Sequence, residues 1–374
     1  MGVRVSNELV RPRSREAAPS IPPLAGLTRL LAQQRPQPYG WGYNDFGPSA
    51  LWLMTYLRYG IAICLALTMG CRTAPTLVPA EAVSARVRES VAEAFDRSRG
   101  RKIPIKIYEP EVMSGRLPLV IFSHGLGSSR EGYRYLGRYW ASRGYVVIHV
   151  QHPGSDNRLS WLGLYRAARA GDVAGNRPRD ISSVIDALEG SERTGPQSSD
   201  LERLRERVDL RKIGLAGHSY GAYTVLAIAG LLIDFPDALD RSFRDRRVTA
   251  AIAISSPRIF GAPRREDYRE IEVPLLHLTG TWDRTLVLRT FARDRRVPYE
   301  AIAGRQYLVT IDGARHSSFA QEPGDRAIEG GKRAIQKLTM EVTLRFWSAF
   351  LKGERGDREW IDGVRLQGAT IERR

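Results

Sequence analysis

From about residue 83 the chain alternates short apolar runs with longer stretches of mixed polarity. Apolar runs predict strands at 83–95, 103–108, 117–123, 145–151, 211–217, 248–255, 273–280 and 304–311. Several are continuously apolar, as in strands buried on both faces. Helices are predicted at 131–143, 178–190, 200–207, 220–232, 285–296 and 332–352. The last repeats apolar residues at Ile335, Leu338, Val342, Phe346 and Phe350, a helical spacing. Strands alternating with helices predict an α/β domain over 83–374, with a mostly parallel sheet covered by helices on both faces. The stretches 155–177 and 233–247 interrupt the repeat and are candidates to cover the top of the sheet.

The N-terminal part follows another pattern. Residues 1–53 are rich in Pro, Arg and Gly without amphipathic period, and read as disordered or as an over-extended leader whose true start is Met54. Residues 54–71 hold Arg58, then the apolar run Gly60 to Gly70, then Cys71. That run is too short to span a bilayer and has the length of a signal-peptide core. Leu67 to Cys71 resembles the lipobox of bacterial lipoproteins, which implies lipidation at Cys71, residues 72–82 as a tether, and a membrane-anchored place in the cell envelope, facing the periplasm or exterior. A short buried or interfacial helix is the alternative, with a secreted or cytoplasmic protein.

Composition narrows the function classes. The net charge is +16, and all but six of the 57 basic residues are arginine. The arginines are scattered among Asp and Glu, as in Arg203 to Arg207, and no nucleic-acid motif accompanies them, so no nucleic-acid partner is expected. Solvated basic faces are the simpler reading, and attraction to anionic lipid or an acidic polymer is the other. The two cysteines, Cys64 and Cys71, both precede the globular part, which excludes a disulfide framework and a Cys-based metal site there.

The candidate chemistry centres on Lys212 to Val225. A strand ends in Gly217-His218-Ser219-Tyr220-Gly221, and a helix of small residues follows. Such a turn projects the serine hydroxyl above the sheet, with glycines where side chains would collide. Serine is a weak nucleophile alone and needs a base and an orienting acid. Two histidines follow Ser219. His277 sits inside an apolar strand, whereas His316 sits in a loop after a strand, so His316 is the expected base. Asp283 ends the strand before it and is the expected acid; Asp312 competes but stands too close to His316 in sequence. The strand 248–255 ends in Ser255-Ser256-Pro257 and offers no carboxylate. Ser123-His124-Gly125-Leu126-Gly127 ends another strand, so the Leu126 and Tyr220 N–H groups are the expected oxyanion donors. His124 is read as bracing that loop. Trp161, Trp282 and Tyr220 would line a substrate pocket, although such tryptophans are more often core residues. His149 and His152 lack an apparent third ligand, so no metal site is expected, and the chemistry calls for no cofactor.

These residues resemble the α/β-hydrolase superfamily, in particular the bacterial branch of predicted dienelactone hydrolases, related to platelet-activating-factor acetylhydrolases and cutinase-like polyester-degrading enzymes. The resemblance covers about 83–352. It rests on Asp96 to Arg99 before Ile103 to Tyr108, Ser123 to Arg130, Gly144 to Val147, His152 to Ser155, Arg177 to Ile181, and Gly217 to Gly221. It implies ester hydrolysis through an acyl-enzyme, on a small-molecule or lipid ester. True dienelactone hydrolases use Cys where Ser219 stands. The acetylhydrolases carry their acid nearer the nucleophile, so Asp283 leans toward the cutinase-like arrangement. An acyltransferase on the same residues and a non-catalytic surface lipoprotein are the rival expectations.

Overall fold

The computed structural model describes residues 85–374, apart from 113, 168–169, 194–197, 236–237, 258–262, 286–289 and 321–329. The expected segments 1–53, 54–71 and 72–82, with Cys71, lie outside the described residues. Nine strands form one sheet in the order β1-β2-β4-β3-β5-β8-β9-β10-β11. They are β1 (Val87–Asp96), β2 (Arg101–Pro110), β3 (Leu117–Ser123), β4 (Val146–Val150), β5 (Val208–His218), β8 (Val248–Ile254), β9 (Leu275–Trp282), β10 (Gln306–Arg315) and β11 (Ala369–Arg373). From β4 to β10 neighbours run parallel, with Ile121 beside Ile148 and Leu215 beside Ala251. The hairpin β1–β2 and the terminal β11 are antiparallel additions at the edges.

The period-two alternation of each central strand sorts its side chains between two cores. Leu119, Ile121 and Leu215 face a core completed by the helices Gly171–Glu189, Ser199–Arg205 and Tyr220–Ala229. Val120, Phe122 and Ala216 face the other, completed by Arg134–Ala141, Gly330–Trp347 and Arg355–Gly363. Trp140 and Trp347 meet edge to face there, centroids 5.9 Å apart. Both faces are therefore apolar, which is why these strands read as continuous apolar runs.

The eight expected strands are present with shifted ends. Two expected helices need correction. The helix over 285–296 is instead a Thr285–Thr290 bridge, a tight 3-10 turn at Ala292–Arg296 and a helix at Val297–Ala301. Asp294 accepts the Phe291 N–H at 2.8 Å, and Arg295 turns inward to an ion pair, so tertiary electrostatics override the local apolar spacing. The helix expected from 178 begins at Gly171 and carries Pro178 in its interior, a position that proline disfavours locally and that only the packing of the helix on the sheet maintains. The chain after 352 adds the helix Arg355–Gly363 and β11, where Ile371 opposes Val309. Within 233–247, β6 (Ile233–Phe235) and β7 (Ala238–Arg241) form a hairpin, and Phe235 packs over Gly171.

Candidate functional site

Three parallel strands deliver the site from their C-terminal ends. β5 ends at His218, and the helix Tyr220–Ala229 starts one residue later. Ser219 between them has φ 56° and ψ −119°, a conformation that costs a non-glycine residue ~1–3 kcal/mol. The turn is held by close backbone approach. A Cβ on Gly221 would stand 1.9 Å from the Ser123 carbonyl oxygen, and one on Gly217 would stand 2.4 Å from that of Gly221. Glycine is required at both because β3, β5 and the helix converge there.

β9 and β10 bring the other two residues. β9 stops at Trp282, so Asp283 is the first residue beyond it. β10 carries an irregularity between Ile311 and Arg315, where Gly313 has φ 69° and its N–H reaches Thr281 Oγ1 at 2.9 Å. This bulge swings His316 toward β5. It turns Asp312 away, exposed, with its N–H on the Gly368 carbonyl.

The structure brings Ser219, His316 and Asp283 into one chain of contacts. Ser219 Oγ lies 2.9 Å from His316 Nε2, and His316 Nδ1 lies 2.9 Å from Asp283 Oδ1. Asp283 is buried, and its Oδ2 accepts from Ser255 Oγ at 2.5 Å and Thr279 Oγ1 at 3.0 Å. Burial opposes its ionisation. The His316 hydrogen bond, the Arg295 charge and the Ser255 hydroxyl outweigh that and hold its carboxyl below the usual carboxylate range. The proton on Nδ1 is thereby directed to Asp283, leaving Nε2 as an acceptor for the serine proton.

Two layers of support are not legible in the sequence. The first is Arg295, whose Nε stands 2.8 Å from Asp283 Oδ1 with both side chains inaccessible to solvent. The same guanidinium donates to the carbonyls of Ser255 and Ser256 and to Thr285 Oγ1. The second lies under the His124–Gly127 loop. Ser123 Oγ lies 3.0 Å from His152 Nε2, and His152 Nδ1 lies 3.1 Å from Asp180 Oδ2. This repeats the serine–histidine–carboxylate order, but all three are buried. Arg177 closes it, donating to Ser123 Oγ, to the His124 carbonyl and to Ser155 Oγ. Burial and the Arg177 charge hold His152 down at about 4, so its ring is neutral. Arg177 to Asp180 carried part of the family resemblance, yet only the fold shows what they touch.

The remaining expected residues are placed as follows. Leu126 is half-buried in the loop after β3, and Tyr220 opens the helix after Ser219. His124 accepts the His152 N–H at 3.1 Å, so it does brace that loop. The Tyr220 ring is fully buried beneath Arg177 and stacked on Tyr223, which corrects the expectation that it lines a pocket. Trp282 is 61% exposed on an open cleft of about 960 Å³ beside Asp283 and His316. Trp161 opens the helix Trp161–Ala167, and its side chain is outside the described ones. His149 bonds the Gly132 carbonyl and His277 bonds Gln306, each inside the sheet.

Known proteins share parts of this chain. The family described as platelet-activating factor acetylhydrolase, isoform II, matches residues 94–172. A platelet-activating factor acetylhydrolase of Cavia porcellus is 28% identical over 150 residues, 33% of this chain and 34% of that one. The Bos taurus protein of the same name is 29% identical over 139 residues, 30% and 31% of the two chains. The matched part thus spans about a third of the length of these relatives. A ferulic acid esterase from Streptomyces cinnamoneus superposes with a TM-score of 0.54 at 22% identity, over 74% of this chain and 93% of that one. The chain has the α/β-hydrolase fold.

Proposed function

We propose that the protein is a serine hydrolase that cleaves carboxylic esters through an acyl-enzyme. The observation that carries this reading is the unbroken contact chain from Ser219 through His316 to Asp283, with 2.9 Å at each junction. The resemblance to acetylhydrolases and the esterase fold support it.

His316 Nε2 takes the proton from Ser219 Oγ as that oxygen bonds to the ester carbonyl carbon. The carbonyl oxygen becomes an oxyanion, held by the N–H groups of Leu126 and Tyr220. The C–O bond to the alcohol then breaks, and the proton on His316 leaves with the alcohol. Water repeats the sequence on the acyl-enzyme: His316 takes its proton, hydroxide adds to the carbonyl, and Ser219 leaves with that proton. The products are one carboxylic acid and one alcohol. Asp283 fixes the imidazole tautomer and stabilises the imidazolium between the two transfers. No metal or cofactor takes part in this scheme. Attachment to a membrane through lipidated Cys71, at the periplasmic or outer face, belongs to the same proposal.

A fluorophosphonate probe tests the assignment. It is expected to label the wild-type chain at Ser219 and to leave Ser219→Ala unlabelled. An unlabelled wild-type protein that also leaves 4-nitrophenyl acetate intact overturns it.

A further inference from the structure

We propose that the cleft beside His316 binds a carboxylate, and that the preferred substrates are esters carrying a carboxylate on an apolar or aromatic body. This rests on Ser219 being the nucleophile and deepens it by naming the substrate class.

The loops that present the acid and the base also present arginines. Arg284 follows Asp283, Arg315 precedes His316, and Arg293 lies two residues before Arg295. All three are exposed and line the same cleft. Two stand over aromatic faces: the Arg315 guanidinium is 5.2 Å from the Trp282 ring centroid, and that of Arg293 is 5.8 Å from Phe291. Trp282 is 61% and Phe291 47% exposed, so each pair offers an apolar face beside a cation. Among the described residues, Asp283 is the sole acid lining the cleft, and Arg295 already neutralises it. Among the described residues, these guanidinium groups meet no further carboxylate of the cleft wall.

A guanidinium fork matches a carboxylate with two parallel N–H donors, whereas a neutral ester offers it only weak acceptors. The exposed aromatic rings accept the body of the same molecule. The chain's net charge of +16 attracts anions in general. Cleft volume, at about 960 Å³, suits a small molecule of this kind.

The test compares wild type with the triple variant Arg284→Gln, Arg293→Gln, Arg315→Gln on two matched pairs of esters. 4-Nitrophenyl hexanoate against mono-4-nitrophenyl adipate places the charge on the acyl side. Phenyl acetate against 4-acetoxybenzoate places it on the alcohol side. In at least one pair the anionic ester should have the higher kcat/KM, by about tenfold, and ~0.5 M salt should erase most of that advantage. The triple variant should lose the preference while its rate on the neutral ester stays within about twofold, because exposed charges contribute little to stability. Equal or lower rates on both anionic esters, or a preference the variant retains, overturn the proposal. Calorimetry with the unreactive anilides of the same four compounds separates this from failure of the nucleophile assignment. If Ser219 takes no probe and no ester is cleaved, stronger binding of an anionic anilide that the triple variant loses still supports the carboxylate site. Equal binding of charged and neutral anilides overturns it.

Discussion

Arg295 and His316 approach the same oxygen of one buried carboxylate: Arg295 Nε and His316 Nδ1 lie 2.8 and 2.9 Å from Asp283 Oδ1. Asp283 therefore has a permanent cationic partner besides the histidine it orients, and the same guanidinium reaches that histidine, with Arg295 Nη2 3.2 Å from His316 Nδ1. Removing that partner leaves a buried, uncompensated carboxylate, which typically destabilises by ~3–5 kcal/mol. Arg295→Met is expected to lower the midpoint of denaturant unfolding accordingly and to reduce kcat more than it raises KM. Arg295→Lys should rescue only part, since one ammonium cannot serve Asp283, two carbonyls and Thr285 together. A variant with wild-type unfolding and kcat removes Arg295 from the site.

Asp283→Asn keeps the side-chain shape but turns an acceptor at Nδ1 into an amide. The loss of tautomer control is expected to lower kcat by ~10⁴, as in other triads. Asp312→Asn should leave kcat unchanged within error, because the β10 bulge points that residue away. Steady-state kinetics on 4-nitrophenyl acetate compares the two. Equal losses in both variants would contradict the Asp283 assignment.

The buried Ser123–His152–Asp180 chain with Arg177 underlies the loop carrying Leu126. Arg177→Met leaves the Ser123 and Ser155 hydroxyls and the His124 carbonyl without this donor. Displacing one oxyanion donor typically costs ~3 kcal/mol of transition-state stabilisation. The expected readout is a kcat lowered by up to ~10², with labelling of Ser219 by a fluorophosphonate slowed in parallel. Unaltered kcat in a folded Arg177→Met variant removes the role.

Stability should fall in mild acid. Burial holds His277 down at about 4, His149 at about 3 and His152 at about 4, against 6.5 for a free imidazole. Their folded-state values are depressed, so near pH 5 the unfolded chain binds protons that the fold does not. Stability is full above about 6.5 and declines as pH falls toward 4, by ~1.4 kcal/mol per pH unit for each such histidine. His277→Gln, which keeps a polar partner for Gln306, should flatten this decline. Melting temperatures between pH 7.5 and 4.5 measure it, and an unchanged slope in the variant counts against His277.

The lipid attachment has its own readout. Mass spectrometry of mature protein from a bacterial envelope fraction is expected to find an N-terminal Cys71 carrying acyl chains. An unmodified peptide crossing Gly70–Cys71 contradicts it.

Local sequence determined the parts of this protein whose chemistry is decided by neighbours in the chain. The continuous apolar runs marked β3, β4, β5, β8 and β9, because burial on both faces demands apolar residues at every position. Gly217-His218-Ser219-Tyr220-Gly221 marked the turn, because only glycine tolerates the backbone contacts at its two ends. Asp283 and His316 were legible as polar residues immediately past strand ends. Tertiary structure decided everything that depends on what a side chain meets across the fold. It moved Arg295 from an expected helix into the Asp283 carboxylate, and buried the Tyr220 ring under Arg177 while leaving Trp282 in solvent. It also built a second, dry serine–histidine–carboxylate chain from Ser123, His152 and Asp180, residues up to 57 positions apart. Ion pairs and hydrogen bonds act over a few ångströms of space, and the sheet order that brings β3, β4 and the helix Gly171–Glu189 together is not a property of any one segment.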